Sequence, residues 1–583
     1  MSAGFSAQIM DHPQPKHHQL STIWTDSVSI EHPLLHYPRP QLRRKAWLDL
    51  NGQWQFEPGT KSDNVPFGKT LAENILVPFP MESSLSGIEK YHEYAWYRKQ
   101  FTIPADWRAH RILLHFGAVM WEATVYVNGQ ELEVHKGGYT GFTVDISSAI
   151  KPGQAEQELI VKTYNPLSEE QVRGKQALKS EGIFYTSASG IWQTVWIEPV
   201  ENYSISRLKM VPDITKDCLN LNTFIRFDGN EMTKSESNLT IKATVFHGDE
   251  AVGAVEGVAG TSLKLPVPHP DLWSPDHPFL YRVRMALYHN NKEVDDIESY
   301  VGMRSIALGH DKNGVTRIFL NGKEIFQLGT LDQGYWPDGI YTAPTDDALK
   351  SDIEEVKSIG MNVIRKHAKI EPDRWYYWAD KLGILVWQDM PQAFSRHFSQ
   401  AGKGEFRAEL AAMITQFENH PSIIVWTLFN ESWGQHNTAA LTDFIRSMDD
   451  SRLIDSASGW NDEHVGDLVD KHDYPGPSAP SEEPHRAAVL GEFGGLGLAI
   501  PNHTWSEGWG YKEFKTPKEL TEEYVKLIHE VGELKRKNGL CAAIYTQTTD
   551  VEQELNGLWT YDRKVFKMDK KAVKDANLNA IHH

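Results

Sequence analysis

From Trp47 to about residue 305 the chain consists of short runs in which apolar or aromatic positions alternate with polar ones, each closed by Gly, Asn or Pro. Gly52-Gln-Trp-Gln-Phe56, Trp96-Tyr-Arg-Lys-Gln-Phe-Thr-Ile103, Ile112-Leu-Leu-His-Phe116, Ala123-Thr-Val-Tyr-Val127 and Gly141-Phe-Thr-Val-Asp-Ile146 have the residue types and bounds of strands. Asn128-Gly129 predicts a two-residue hairpin turn, because both residues tolerate positive φ. The strand spacing predicts a β-sandwich over residues 41–199 and a second, immunoglobulin-like sandwich over residues 200–305, with strands at Ser204–Met210, Leu239–Phe246 and Tyr281–Tyr288. Residues 1–40, punctuated by Pro and His, read as an N-terminal arm.

The pattern changes near Val301-Gly-Met-Arg-Ser-Ile306, beyond which apolar runs alternate with amphipathic helices. Thr345 caps a predicted helix whose first turn holds Asp346 and Asp347 and whose apolar face is Leu349, Ile353, Val356 and Ile359. Thr516-Pro-Lys-Glu519 reads as a capping box, followed by the face Leu520, Tyr524, Leu527, Ile528 and Val531 and by the stop Asn538-Gly539. Eight buried-strand candidates lie in residues 306–583: Ile325–Leu331, Asn362–Ala368, Ile384–Met390, Ile423–Glu431, Leu453–Trp460, Leu468–Tyr474, Ala487–Phe493 and Cys541–Thr548. That number and length fit a (β/α)8 TIM barrel of about 250 residues, whose site lies at the carboxyl ends of its strands.

Composition narrows the function. A formal charge of −19 disfavours a nucleic-acid partner, which needs concentrated Lys and Arg. The two cysteines, Cys218 and Cys541, are too few for a disulfide framework or a thiolate metal centre. No basic-then-apolar leader opens the chain and no membrane-length apolar run occurs, so the expectation is a cytoplasmic protein with no membrane partner.

The strand ends carry the candidate chemistry. Ile423-Ile-Val-Trp-Thr-Leu-Phe-Asn430-Glu431 and Ala487-Ala-Val-Leu-Gly-Glu492-Phe-Gly-Gly495 each run from apolar strand into a carboxyl group, and the fourth and seventh strands face each other across a barrel mouth. Two carboxyls so placed can flank a glycosidic bond, one protonating the departing oxygen while the other meets the oxocarbenium-like centre. Either Glu alone is as readily a helix cap; the pair, with Asn430 alongside, favours chemistry.

Asn430-Glu431 ending one strand and Gly491-Glu-Phe-Gly494 ending another, behind two β domains, resemble glycoside hydrolase family 2, which includes β-galactosidases, β-glucuronidases and β-mannosidases. Asn51-Gly-Gln-Trp-Gln-Phe56, Trp96-Tyr97-Arg98, Val125-Tyr-Val-Asn-Gly129 and Gly190-Ile-Trp-Gln193 are similar to that family's jelly-roll-type sugar-binding sandwich, and Leu320-Asn-Gly-Lys323 to its barrel entry hairpin. The resemblance covers about residues 41–583. It implies Glu431 as general acid/base, Glu492 as nucleophile, Asn430 as a ligand of the neighbouring sugar hydroxyl, Arg365 as a donor to the nucleophile and Tyr474 as a second contact to it.

His472 is a candidate hydroxyl ligand, and Asp389, Trp460, Asp332, Tyr335 and Trp336 are candidate pocket walls; Trp505, Trp509 and Trp559 are candidate platforms. The expected reaction is exo-acting, retaining β-glycosidase chemistry on a small-molecule carbohydrate, without cofactor or metal, with β-galactosides ahead of β-glucuronides, β-glucosides, arabinosides and galactofuranosides. The resemblance also accommodates a homo-oligomer. Two features depart from the family: Gly329-Thr-Leu-Asp332 stands where many members carry a histidine-bearing segment, and the late-barrel Asn-x-Lys of glucuronidases is missing. Asn321-Gly-Lys323 has those letters but lies in the entry hairpin, which disfavours glucuronides. Two other classes compete: a carbohydrate-binding protein with an inert barrel, and a metal-dependent barrel hydrolase using His367, Asp389 or His472.

Overall fold

A computed structural model describes residues 20–583. Part of the expected N-terminal arm, residues 1–19, lies outside the described residues. The first sandwich packs a six-stranded sheet, which includes Gly52–Pro58, Tyr94–Thr102, Glu156–Tyr164 and Glu122–Val127, on a four-stranded sheet with Arg111–Phe116 and Val195–Val200 at its centre. Alternation does what the pattern requires: in Gly52–Pro58 Trp54 and Phe56 are buried while Gln53 and Glu57 are exposed. Asn128 and Gly129, at φ of 50° and 91°, turn Glu122–Val127 back onto Gln130–Lys136. The second sandwich sets Leu239–His247, Tyr281–His289 and Lys292–Val301 against Tyr203–Asp213 and Cys218–Phe227. Both cysteines are buried and unpaired.

An antiparallel hairpin, Thr316–Leu320 with Lys323–Glu324, leads into the barrel. Its strands are β1 (Gln327–Asp332), β2 (Val363–Lys366), β3 (Leu385–Asp389), β4 (Ile423–Thr427), β5 (Leu453–Asp455), β6 (Leu468–Asp473), β7 (Ala487–Gly494) and β8 (Ala542–Thr546). They pair in parallel in the order β5-β4-β3-β2-β1-β8-β7-β6, so the ring is closed by ladders everywhere but between β5 and β6. All eight expected strands are present.

Helices are fewer than strands: α1 (Asp346–Ser358), α2 (Asp373–Leu382), α3 (Gln400–Phe417), α4 (Thr438–Met448), α5 (Pro517–Lys537) and α6 (Lys570–His582) are described, with none between β5 and β6 or between β6 and β7. Those connections are rich in Pro, Gly and Ser, which cannot sustain a helical face. The Thr345 and Thr516 hydroxyls accept from the Ala348 and Glu519 amides, as the capping pattern requires. Among the described residues no helix is long and apolar enough to cross a membrane.

The sandwich is keyed into the barrel. Met120, Tyr139, Tyr185 and Trp192 of the sandwich share one buried apolar cluster with Tyr335, Tyr341 and Met390 of the barrel. That common core fixes the sandwich loops against the carboxyl ends of the strands.

Candidate active site

Both glutamates are placed by irregular backbone. Strand β4 ends at Thr427, four residues before the expected end, and Asn430 forms a single bridge to Ser458 beyond β5 while the Glu431 amide donates to the Ser458 carbonyl. Glu431 and Ser432 then adopt φ of 51° and 66°, a left-handed conformation that costs non-glycine residues on the order of 1 kcal/mol and turns the carboxylate into the mouth. On β7, pairing with both neighbours shifts register around Glu492, the signature of a bulge that re-aims a side chain. Gly491 is required there: a Cβ would stand 2.1 Å from Asp470 Oδ2.

The carboxylates converge. One oxygen each of Glu431 and Glu492, with a ring nitrogen of His472, all lie within 4.8 Å of one another. Arg365, wholly buried on β2, holds the floor together: Nε and Nη2 donate to Asp389 at 3.0 Å, Nη2 to Asn430 Oδ1 at 2.8 Å, and Nη1 to Glu492 Oε1 at 3.3 Å. The Tyr474 hydroxyl donates to Glu492 Oε2, and its ring stacks on Tyr511 at 3.9 Å. His472 Nδ1 meets Glu431 Oε1 at 2.8 Å; behind it, Nε2 meets the Ser458 hydroxyl at 2.8 Å, which donates to Asp470.

Burial alone would raise Glu492, but the charges of His472, Arg365 and His367 and the Tyr474 hydrogen bond outweigh it and hold its pKa down to about 2. Burial likewise opposes the charged form of His472, yet Glu492, the Glu431 hydrogen bond and Asp470 raise it above its ordinary value. The result is an ionised Glu492 beside a histidine whose protonated form is favoured and whose Nδ1 faces the opposite glutamate. Asp455, buried under the site and next to Asp470, is pushed well above the usual carboxylate range, first by burial and then by Asp470.

Of the residues singled out from sequence, Glu431, Glu492, Asn430, Arg365, His472, Tyr474 and Asp389 form this one network. Trp460 stands apart, 66 % exposed. Tyr335 and Trp336 are core residues, and Asp332 is spent on Lys366. The groups weighed as metal ligands do not converge as one set: His367 pairs with Asp389, which Arg365 also engages, and His472 turns away to Glu431 and Ser458. Glu431, His472 and Glu492 are compact enough to be weighed as a ligand set, but the buried Arg365 guanidinium already places positive charge against Glu492.

The sequence gives no signal for several neighbours. Tyr511 and Thr546 reach Tyr474 from β7–α5 and β8, and Phe184, from the sandwich, stacks on Trp433 at 5.6 Å and 17°. Single aromatic or hydroxyl residues in loops or at a strand end carry no pattern; only the fold brings them in. A separate cavity of about 320 Å³ lies between the N-terminal segment, the first sandwich and helices α1 to α3, lined among others by Arg39, Gln193, Trp196 and Asn419. Neither glutamate borders it, so the carboxylate pair, not this cavity, marks the site.

Two sandwiches before a barrel whose fourth and seventh strands present a carboxylate pair define a glycosidase-type architecture. Sequence models of glycosyl hydrolases family 2 match the sugar-binding domain at residues 47–196, the middle domain at 203–304 and the TIM-barrel domain at 316–476, and the chain belongs to that family. A β-galactosidase of Thermoanaerobacter pseudethanolicus is 25 % identical over 415 residues, covering 69 % of this chain and 53 % of that protein. A β-glucuronidase of Bacteroides fragilis is 24 % identical over 556 residues, covering 88 % and 71 %. The structure of a β-glucuronidase from Ruminococcus gnavus in complex with D-glucaro 1,5-lactone superposes with a TM-score of 0.76 at 20 % identity, covering 93 % of this chain and all of that one. The chain spans about half the length of the first curated relatives it matches.

Proposed function

We propose that the protein is an exo-acting β-glycosidase that works with retention of configuration. The observation that carries this reading is the approach of the Glu431 and Glu492 oxygens to within 4.8 Å, the spacing of a nucleophile and an acid/base and too short to seat a water for direct inversion. Glu492, kept anionic by Arg365 and Tyr474, attacks the anomeric carbon as the bond to the aglycone breaks, and Glu431 delivers a proton to the departing oxygen. Glu431 becomes anionic in that step, and His472 at 2.8 Å, whose protonated form Glu492 and Asp470 favour, is placed to donate to the new carboxylate. In the second half, Glu431 takes a proton from water as its oxygen attacks the glycosyl ester and releases Glu492. Asn430, oriented by Arg365, is left with its amide NH2 for a sugar hydroxyl.

The relatives named β-galactosidase and β-glucuronidase support the two sugar classes equally. Sugar binding alone does not require two carboxyl groups converging on one point, which places the binding-only reading second. The test is proton NMR of the first-formed sugar from an aryl β-glycoside. The expected product is the β-anomer, with Glu492→Gln reducing kcat by at least about 10⁴-fold. An α-anomer, or undiminished turnover by Glu492→Gln, contradicts the proposal.

A further inference from the structure

The loop between the sandwich strands, residues 165–186, is driven into the barrel mouth. The Arg173 and Gly174 amides both donate to the Gln392 carbonyl beyond β3, and a Cβ at Gly174 would stand 2.3 Å from the Ala368 carbonyl beyond β2. The Tyr185 amide donates to the Lys175 carbonyl, and Gln176, fully buried, is bonded to Tyr139 and to the Ala188 amide. Lys175 is therefore fixed at both ends, and its side chain points at the site: Nζ lies 5.0 Å from the ring of Trp433, two residues past Glu431.

Lys175 is 7 % exposed, and among the described residues its ammonium has no carboxylate or hydrogen-bond partner. Other buried cations differ. Arg365 is paired with Asp389 and Glu492, Lys366 with Asp332 and Glu371, Lys369 with Glu371, and Lys567 with Asp550. A desolvated ammonium without a counter-ion is costly, and a cation–π contact with Trp433 offsets only part of that cost. A site that keeps such a group unpaired is complementary to an anion that arrives from outside.

The position selects which anion. Burial lowers His367 and raises Glu554, and the Lys175 charge acts on both, adding to the first shift and opposing the second; the Glu492 charge also reaches both. The geometry places the charge at the mouth: the Trp433 ring beside the Lys175 ammonium lies two residues past Glu431, and the Trp433 amide donates to the Asn430 carbonyl, so Lys175 stands at the rim of the opening that holds the carboxylate pair. Glu554 does not neutralise Lys175: its oxygens are taken by Tyr185 and Asn556, and burial favours its protonated form. Lysine offers a point charge on a flexible stem, suited to one carboxylate.

We propose that Lys175, supplied by the sandwich rather than the barrel, binds the C6 carboxylate of a uronic acid at the reacting position, so that the protein acts on β-uronides. This inference rests on the glycosidase reading above. It also accounts for the missing barrel-borne Asn-x-Lys: the cation comes from another domain.

The test uses matched pairs of 4-nitrophenyl β-glycosides that differ only at C6, glucuronide with glucoside and galacturonide with galactoside, on the full chain. The wild type is expected to favour the uronide in at least one pair. Lys175→Gln is expected to lower the uronide-to-neutral ratio of kcat/KM on the order of 100-fold, mostly through KM, and Lys175→Arg to recover much of it. An unchanged ratio in Lys175→Gln, or wild-type preference for the neutral sugar in both pairs, overturns the inference and leaves the glycosidase reading standing. Failure of the wild type to cleave any of the four overturns the inference, and failure on aryl β-glycosides of every other sugar overturns the glycosidase reading with it.

Discussion

At the scale of the residue, the site is a contest between burial and charge. Glu492 is inside the protein, where a lone carboxylate would hold its proton, and it is ionised because His472, Arg365 and His367 supply charge and Tyr474 supplies a donor. Removing one donor should be felt in both rate and pH dependence. Tyr474→Phe leaves the ring stacked on Tyr511 but deletes the hydroxyl that reaches Glu492 and Thr546. The anionic form loses stabilisation, so its pKa rises from about 2 and the acid limb of kcat/KM moves to higher pH. The expected fall in kcat is about 10- to 100-fold, the worth of a hydrogen bond to a charged group, read from a pH–rate series. An unmoved acid limb would show that the hydroxyl does not hold the charge.

At the scale of the element, the strands were legible and their ends were not. The alternation and apolar runs place all eight barrel strands, because a buried parallel strand must be continuously apolar and a sandwich strand must alternate. Yet β4 stops at Thr427, and Asn430 and Glu431 sit in bridged and left-handed backbone that no hydrophobic period encodes. The bulge on β7 is equally silent, although Gly491 marks it afterwards as the one position where Asp470 leaves no room for a side chain. Motif letters located Glu431 and Glu492, while Lys175, Phe184 and Tyr511 carried no signal, since they act from loops whose approach depends on packing between domains. Gly174 tests that approach. Its φ of 60°, and the 2.3 Å that would separate an added Cβ from the Ala368 carbonyl, leave Gly174→Ala no relaxed conformation. The variant should lose about 2 kcal/mol or more of stability and lower kcat/KM together with it, measured by thermal unfolding and steady-state rates. Wild-type melting and kinetics would mean that the loop is not wedged as described.

At the scale of the whole molecule, the site is assembled from two domains. The sandwich loop is stitched to the segment after β8 through Thr186 and Glu552 at 3.0 Å and Gly182 and Gln553 at 2.9 Å, and to the segment after β3 through Glu169 and Phe394 at 2.8 Å. On the proposed reading the barrel provides the reacting carboxylates, and the sandwich provides one wall and an unpaired cation. This division lets specificity change in one domain while the chemistry stays fixed in the other. All of it presupposes that Glu492 becomes covalently attached to the sugar. The direct measurement is trapping with 2-deoxy-2-fluoro glycosyl fluorides of the four sugars above, followed by proteolysis and mass spectrometry. The account predicts time-dependent inactivation with one fluorosugar on the peptide that contains Glu492; a label on any other residue, or unimpeded turnover without a label, would contradict it.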